Sequence, residues 1–273
     1  MKSGVYDISN EEYHSGEGFS RSKLVAFNRS PLHFWHEALN PEKEQEEAPL
    51  IIKQTNAKEY GNALHTYVLE PPKFCEEYYI TPKINRATKK GKEEFKEHQE
   101  KARGKLLICE EAFKSIAHVM NGLSRHKQAL TLLADAQIEK SIYWTDPDTG
   151  IQCKVRPDVW HSNMIVDLKT TVDASQKSFQ RSIFQFAYHI QAGMIQEALR
   201  VSQGIHMENF VYLAVEKQAP YASAIYMLSP EIVSQGVAEF KNILIGIKEC
   251  MDSGHWPSYP TAMIDMPSWM VQQ

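Results

Sequence analysis

Paired cysteine motifs are missing. Four cysteines, Cys75, Cys109, Cys153 and Cys250, are scattered over 273 residues, and no C-x-x-C occurs. That spacing speaks against a zinc ribbon or an iron–sulfur clip. Scattered single cysteines are the habit of reduced, intracellular proteins. Long hydrophobic runs are missing too. No stretch approaches 18 apolar residues, so no membrane span is expected. The N-terminal "MKSGVYDISNEEYH" is polar, unlike a signal peptide. Net charge is only −4, so bulk charge does not mark a nucleic-acid binder, although it says little about local patches. No internal repeat is visible. The expectation is a soluble cytoplasmic protein.

What is present is ordinary for a folded enzyme-sized chain: 42% hydrophobic and 23% charged residues. Ser9 and Glu12 have capping-box spacing. "SRSKLVAFN" reads as a helix, and Ser30-Pro31 opens "SPLHFWHEAL". Residues 41–56 read as a loop. "AKEYGNALHTYVL" (57–69) has helical spacing and is expected to end at Pro71-Pro72, and "EEYYITP" reads as a short strand. Residues 83–105 hold nine Lys or Arg against four Glu. This is the one basic region, and two helices follow it.

The apolar period then changes from about 3.6 to 2. "AQIEKSIYWT", "GIQCKVRPDVW" and "MIVDLKTTV" read as a three-strand meander. Next come one long helix over 174–199, two strands, a helix from Ser229-Pro230 to about Met251, and a Pro-rich aromatic tail over 252–273, with Trp256, Pro257 and Trp269. This order suggests an α/β or α+β domain whose sheet is covered by helices.

The densest chemistry lies in "KVRPDVWHSNMIVDLKTTV" (154–172). A two-residue loop at Ser162-Asn163 sets the register: Val159 faces Val166, Trp160 faces Ile165, and Asp158 faces Asp167. Opposed carboxylates repel, so they call for a cation. Lys169 and Arg156 fall on the same face. The other face, Val155, Pro157, Val159, Val166 and Leu168, is fit for a core. Two acids beside a lysine suit Mg²⁺, which takes oxygen ligands and keeps waters. The lysine can hold an attacking water or neutralise charge on a phosphoryl transition state. A surface hairpin with cross-strand ion pairs is the plainer alternative.

"RPD…VDLKTT" resembles the catalytic core of the PD-(D/E)xK nuclease superfamily. Its surroundings, "SRSKLVAFNRSPLHFW", "YGNALHTYVLEP", "RATKKGKEEF", "IEKSIYWTDPDTGIQCKVRPD" and "YHIQAGM", resemble the RecE-type, exonuclease VIII-like branch. The resemblance implies a restriction-endonuclease-like α/β (α+β) core: a central mixed sheet with a meander, flanked by helices. It implies that His65, Asp158 and Asp167 hold the metal, with the Leu168 carbonyl a further ligand. Lys169 would be the catalytic lysine, Gln191 would position phosphate or water, and Tyr188 would sit one turn earlier. The family often has a tyrosine three or four residues after that glutamine; Met194 and Ile195 stand there. Glu139 reads as a metal or outer-sphere acid, or as an edge-strand surface residue. Gly61, one turn before His65, is expected to let another backbone approach. Gln191 lies in a helix apolar almost all round, hence buried, and a buried glutamine needs partners. Arg86, Lys89, Lys90, Lys92 and Arg156 are candidate DNA contacts, with Arg21, Lys23 and Arg29 as additions. The lack of clustered cysteines disfavours the branch that carries an iron–sulfur cluster.

The chain thus reads as a single nuclease domain over 1–273, with a helical part (1–56), a core (57–251) and a tail (252–273). The expected activity is a Mg²⁺-dependent exodeoxyribonuclease, Mn²⁺ able to substitute, degrading linear duplex 5′ to 3′. The resemblance further implies a homo-oligomer, commonly a tetramer, and a RecT-type annealing partner. An endonuclease on the same core and a non-catalytic DNA-binding protein are the alternatives.

Overall fold

The computed structural model describes residues 1–40 and 57–266. The loop read over 41–56 and Trp269 of the tail lie outside them. A short strand β1 (Gly4–Tyr6) precedes helices α1 (Asn10–Ser15), α2 (Arg21–Arg29) and α3 (Pro31–Phe34), the last continued by a π turn over Trp35–Leu39. The capping box at α1 forms as its spacing predicts. Ser9 Oγ accepts from the Glu12 N–H at 3.1 Å, and Glu12 Oε2 accepts from the Ser9 N–H at 2.8 Å.

Helix α4 (Ala57–Leu69) is followed at once by α5 (Pro71–Glu77). The two prolines start a helix as well as stop one, because the first helical positions need no N–H donor. Next come β2 (Tyr78–Thr81), α6 (Lys89–Ala102), β3 (Leu106–Cys109), α7 (Glu110–Ser124) and α8 (Lys127–Leu133). Strands β2 and β3 pair in parallel as a sheet of two. Neither β1 nor β3 is signalled by the sequence pattern.

The expected meander is split between two sheets. "AQIEKSIYWT" breaks into β4 (Gln137–Ile138) and β5 (Ser141–Thr145), with Glu139 between them at φ +52°. "GIQCKVRPDVW" breaks at Pro157, which has no ladder donor, into β6 (Gln152–Val155) and β7 (Val159–Trp160). Strand β8 (Met164–Thr171) remains whole. The expected long helix also breaks. It becomes α9 (Gln176–Gln185) and α10 (Tyr188–Gln203), with Ala187 in the left-handed region at φ +53°. Strands β9 (Asn209–Glu216) and β10 (Ser223–Met227) and helix α11 (Pro230–Ser253) complete the order.

The main sheet runs β10-β9-β8-β7-β4, mixed, with β8 and β9 parallel; β1-β5-β6 form a second, antiparallel sheet. The fold is therefore α/β with mixed sheets flanked by helices. Val159, Val166, Leu168, Val211 and Leu213 turn one face of the main sheet toward α4 and α7. Ile165, Phe210, Tyr212 and Ala214 turn the other toward α9, α10 and α11. Helix α11 lies so close on α10 that a Cβ on Gly236 would stand 1.9 Å from the His189 carbonyl oxygen. Two of the expected hairpin pairs form, Val159 with Val166 and Trp160 with Ile165, but Asp158 precedes β7 and does not pair with Asp167 across the ladder.

Candidate metal centre

Strand β7 ends as soon as it has paired two residues, and this builds the site. Past Val159 no backbone covers the edge of β8 at Leu168. The side chain of Asp158 takes its place: Oδ2 accepts from the Leu168 N–H at 2.7 Å. In a strand the N–H and C=O of one residue face the same edge, so the Leu168 carbonyl looks toward the Asp158 side as well. Asp158 and Asp167 are both buried, at 7% and 3% exposure.

Helix α4 brings His65 against Asp158, with Nδ1 3.4 Å from Oδ2. Gly61, one turn before it, has no neighbour near its would-be Cβ. It admits no second backbone, contrary to expectation, and instead lines an open cleft of about 390 Å³ beside His65. The break between β4 and β5 aims Glu139 at the same place. Its N–H donates to the Asp158 carbonyl at 3.0 Å. Ligand atoms of His65, Glu139 and Asp158 all lie within 4.8 Å of one another.

Asp167 stands beside this group. Its Oδ1 accepts from Gln191 Nε2 at 2.6 Å, and its Oδ2 meets the Lys169 ammonium. Lys169 also donates to Gln191 Oε1 at 3.2 Å and lies 4.8 Å from the Tyr188 ring centroid. Gln191 therefore has the partners that its place in an apolar helix demands. Tyr188 is itself fixed by its carbonyl, which accepts from the Tyr212 hydroxyl at 2.7 Å.

The protonation states follow from crowding. Burial lowers the His65 pKa, but the Asp158 carboxylate more than offsets this and raises it to about 9. Burial raises that of Asp158, yet the His65 charge, Lys169 and the Leu168 N–H bring it below the usual range. Glu139 is raised to about 7 by burial and by Asp158, against Arg156. Asp167 is raised by burial and by Asp158, despite Lys169. A proton on His65 thus bridges acids that a cation could bridge better. Two carboxylates and a histidine, with the Leu168 carbonyl on the same strand edge, make an oxygen-rich donor set with one nitrogen, which suits a divalent ion.

A family model described as a PDDEXK-like domain of unknown function (DUF3799) matches residues 20–264. The chain belongs to that family. A crystal structure described as that of a "Putative exonuclease" from Eubacterium rectale shares the fold. The TM-score is 0.58 at 14% identity, with 94% of this chain and 97% of that one covered. The crystal structure of SSO0001 matches at 13% identity over 49% of this chain and 63% of that one, with a TM-score of 0.28, and carries no argument. No curated protein sequence matches.

Within this PDDEXK-like domain the candidate residues divide. His65, Asp158 and Glu139 converge, and Asp167, Lys169, Gln191 and Tyr188 form an adjoining chain of contacts. Arg156, read as a DNA contact, is committed elsewhere. Its Nε pairs with Glu139 at 2.7 Å, and its terminal nitrogens donate to the Ile8 and Ser9 carbonyls at 3.3 Å. Arg86 lies over the Phe95 ring at 3.9 Å, at a second cavity of about 560 Å³. Asn62 of α4 lines both cavities. Lys89, Lys90 and Lys92 are exposed in the first turn of α6, which has no acid. Cations there oppose the helix dipole.

Two contributions escaped the sequence reading, and a third, Arg21, was named there only as an addition to the DNA contacts. Lys154 is buried, and its ammonium donates to the Tyr13 carbonyl at 2.6 Å, which ties α1 to the cleft wall. Arg21, read as a marginal addition, lines the cleft and donates to the Phe186 carbonyl at 2.5 Å. The corner at Phe186-Ala187 was hidden inside an apparently continuous helix. Its signal was two aromatic residues that could not both lie on the buried stripe.

Proposed function

We propose that this chain is a Mg²⁺-dependent exodeoxyribonuclease acting on linear duplex DNA from the 5′ end. Mn²⁺ would substitute for Mg²⁺. The observation that carries the reading is the pairing of two constellations: His65, Asp158 and Glu139 around one point, and Lys169 held by Asp167 and Gln191 next to it.

His65, Asp158 and Glu139 would hold the ion, with the Leu168 carbonyl at the same edge and Asp167 within reach of it. A divalent ion bound there supplies Lewis-acid polarisation of a phosphoryl oxygen and a water acidified enough to attack. Lys169 places its ammonium where charge builds on the phosphate. Gln191 and Asp167 keep that ammonium from swinging away, and the Tyr188 ring flanks it. Asp158, below the usual carboxylate range, is ionised and ready to ligate across the neutral pH range. The cluster Arg86, Lys89, Lys90 and Lys92 would grip the DNA backbone across α4 from the cleft.

The 5′ to 3′ polarity, the release of mononucleotides and the 3′ single strand left for annealing are supported by the RecE-type resemblance. So are a ring-like tetramer and a RecT-type partner. The test is a labelled linear duplex and a covalently closed circle, each incubated with Mg²⁺. The linear substrate is expected to shorten from its 5′ ends while the circle stays intact, and Lys169→Ala is expected to be inactive but folded. Cleavage of the circle would make the enzyme an endonuclease. A shift of DNA without shortening would make it a binding protein. Full activity in Lys169→Ala would refute the assignment.

A further inference from the structure

The corner between α9 and α10 exposes two aromatic rings. Phe184 and Phe186 are 47% and 49% exposed. Contiguous large apolar side chains on a surface usually await a partner. Neither ring is stranded at random. Phe184 lies 5.0 Å from the His189 ring, and Phe186 lies 5.8 Å from Tyr188, which flanks Lys169. Ala187, at φ +53°, turns the chain so that Phe186 stands one ring away from the proposed catalytic lysine.

The segment that carries these rings is basic, and the nearby Glu239 carboxylate is already bonded to His189 at 2.9 Å. Between Ala174 and Gln196 there is no acidic residue. Lys177 and Arg181 are exposed, and with Phe184 they follow helical spacing along one stripe of α9. Arg21 joins from the other side: it donates to the Phe186 carbonyl and lies 5.7 Å from the Tyr188 centroid. Exposed rings interleaved with the cations of Lys177, Arg181 and Arg21 fit an unpaired polynucleotide, whose bases stack and whose phosphates are held. A protein partner would need no such run of cations beside the rings.

We propose that this corner is a platform for single-stranded DNA. The rings of Phe184 and Phe186 stack on unpaired bases and Lys177 and Arg181 hold the adjoining phosphates, so that frayed rather than fully paired DNA is delivered to Lys169. The inference deepens the nuclease reading and rests on it for the direction of delivery, though not for binding.

The test begins without metal. A single strand carrying 2-aminopurine is titrated with the full chain in EDTA, with anisotropy read in parallel. Wild type is expected to quench the fluorophore. Phe184→Ala with Phe186→Ala is expected to weaken binding about tenfold to a hundredfold and to remove the quench. Phe186→Trp is expected to restore much of it. Lys177→Glu with Arg181→Glu, on fully solvated positions, gives an independent loss should the ring variant fold poorly. With Mg²⁺ present, the ring variant is expected to lose more activity on a blunt duplex than on one with unpaired ends. Equal binding by wild type and both variants would overturn the platform. So would a ring variant whose only change is in its self-association, since the corner would then be an interface between copies. A chain that binds in this ring-dependent way yet never shortens DNA would keep the platform and remove the nuclease reading. A chain that digests DNA regardless of the rings would do the reverse.

Discussion

Two networks of buried charge, one at the cleft and one away from it, behave differently. The first is His65, Glu139, Asp158, Asp167 and Lys169 at the cleft. The second lies where α11 meets α10 and the β5–β6 turn. There Lys241 contacts Asp146, Asp148 at 2.9 Å and Glu197 at 3.4 Å, and Arg200 holds Glu197 at 2.8 Å. Asp146 also accepts from the Thr149 hydroxyl at 2.8 Å. In that second group burial opposes ionisation, yet the partners win everywhere. Asp146 and Glu197 are shifted down, and Lys241 is shifted up by its acids. At the cleft the outcome is divided: partners win at His65 and Asp158, but Glu139 and Asp167 are shifted up although cations stand next to them. A network satisfied within itself is structural. One that leaves acids reluctant to ionise is prepared for a further cation, which is why displaced pKa values gather at functional sites.

The sharpest way to break this contrast is to remove one lysine from each group. Lys169→Ala should reduce nuclease turnover by about a thousandfold, the scale of losing one group that stabilises transition-state charge, with little change in melting temperature. Lys241→Met should do the opposite. It leaves the fully buried Asp146 without its cation, which costs about 3–5 kcal/mol, while Glu197 keeps Arg200, and the folded remainder should retain its turnover number. A melting curve and a single-turnover assay on both variants decide the matter. If Lys169→Ala melts far below wild type, the cleft is also a structural network and the distinction fails.

A smaller effect sharpens it. Mn²⁺ or Mg²⁺ at about 100 times its dissociation constant should stabilise the wild type by about 2.7 kcal/mol, read as a rise in melting temperature. Asp158→Asn should lose that increment because it removes a ligand. Lys241→Met should melt lower but gain the same increment as wild type. An ion-induced rise that survives Asp158→Asn would place the ion elsewhere.

How far the sequence carried this picture depends on which interactions are local. The hairpin register was legible because the two-residue loop and the alternation of Val159, Val166 and Leu168 fix it within ten residues. The contact between Gln191 and Lys169 was foreshadowed because a glutamine in an apolar helix must be bonded somewhere. What was illegible was where elements stop. Nothing in "AQIEKSIYWT" signals that Glu139 leaves the strand, since left-handed backbone at a glutamate is imposed by the tertiary site and not by propensity. That break brings an ambiguous strand glutamate next to His65 and Asp158. The same holds for Ala187, where an alternation-free apolar run concealed two helices and exposed rings. Arg156 was misread for a related reason. Parity placed it on the acidic face, but β6 and β7 belong to different sheets, so its partners are Glu139 and the N-terminal carbonyls.

The mildest test is the dependence on pH. Without an ion, protonated His65 supports the fold. Its folded pKa of about 9 lies above the ordinary value of 6.5, so that support is complete below about 6.5 and lost as pH rises through 9. Glu139 acts in the same direction. Its pKa is raised from 4.5 to about 7, so its ionisation costs stability as pH climbs between those values. An ion at the cleft needs both groups deprotonated and must displace their protons. Affinity should therefore rise about tenfold per pH unit between 7 and 9, where His65 is still protonated, and more steeply below 7, where Glu139 is protonated too. Calorimetric titration with Mn²⁺ in two buffers of different ionisation enthalpy counts the protons directly: close to one at pH 8 and approaching two at pH 6. His65→Gln should lower each count by one. The Asp146 and Lys241 group has no such proton to give, so a count that is zero at both pH values, or unchanged in His65→Gln, would mean that the cleft is as self-satisfied as its counterpart.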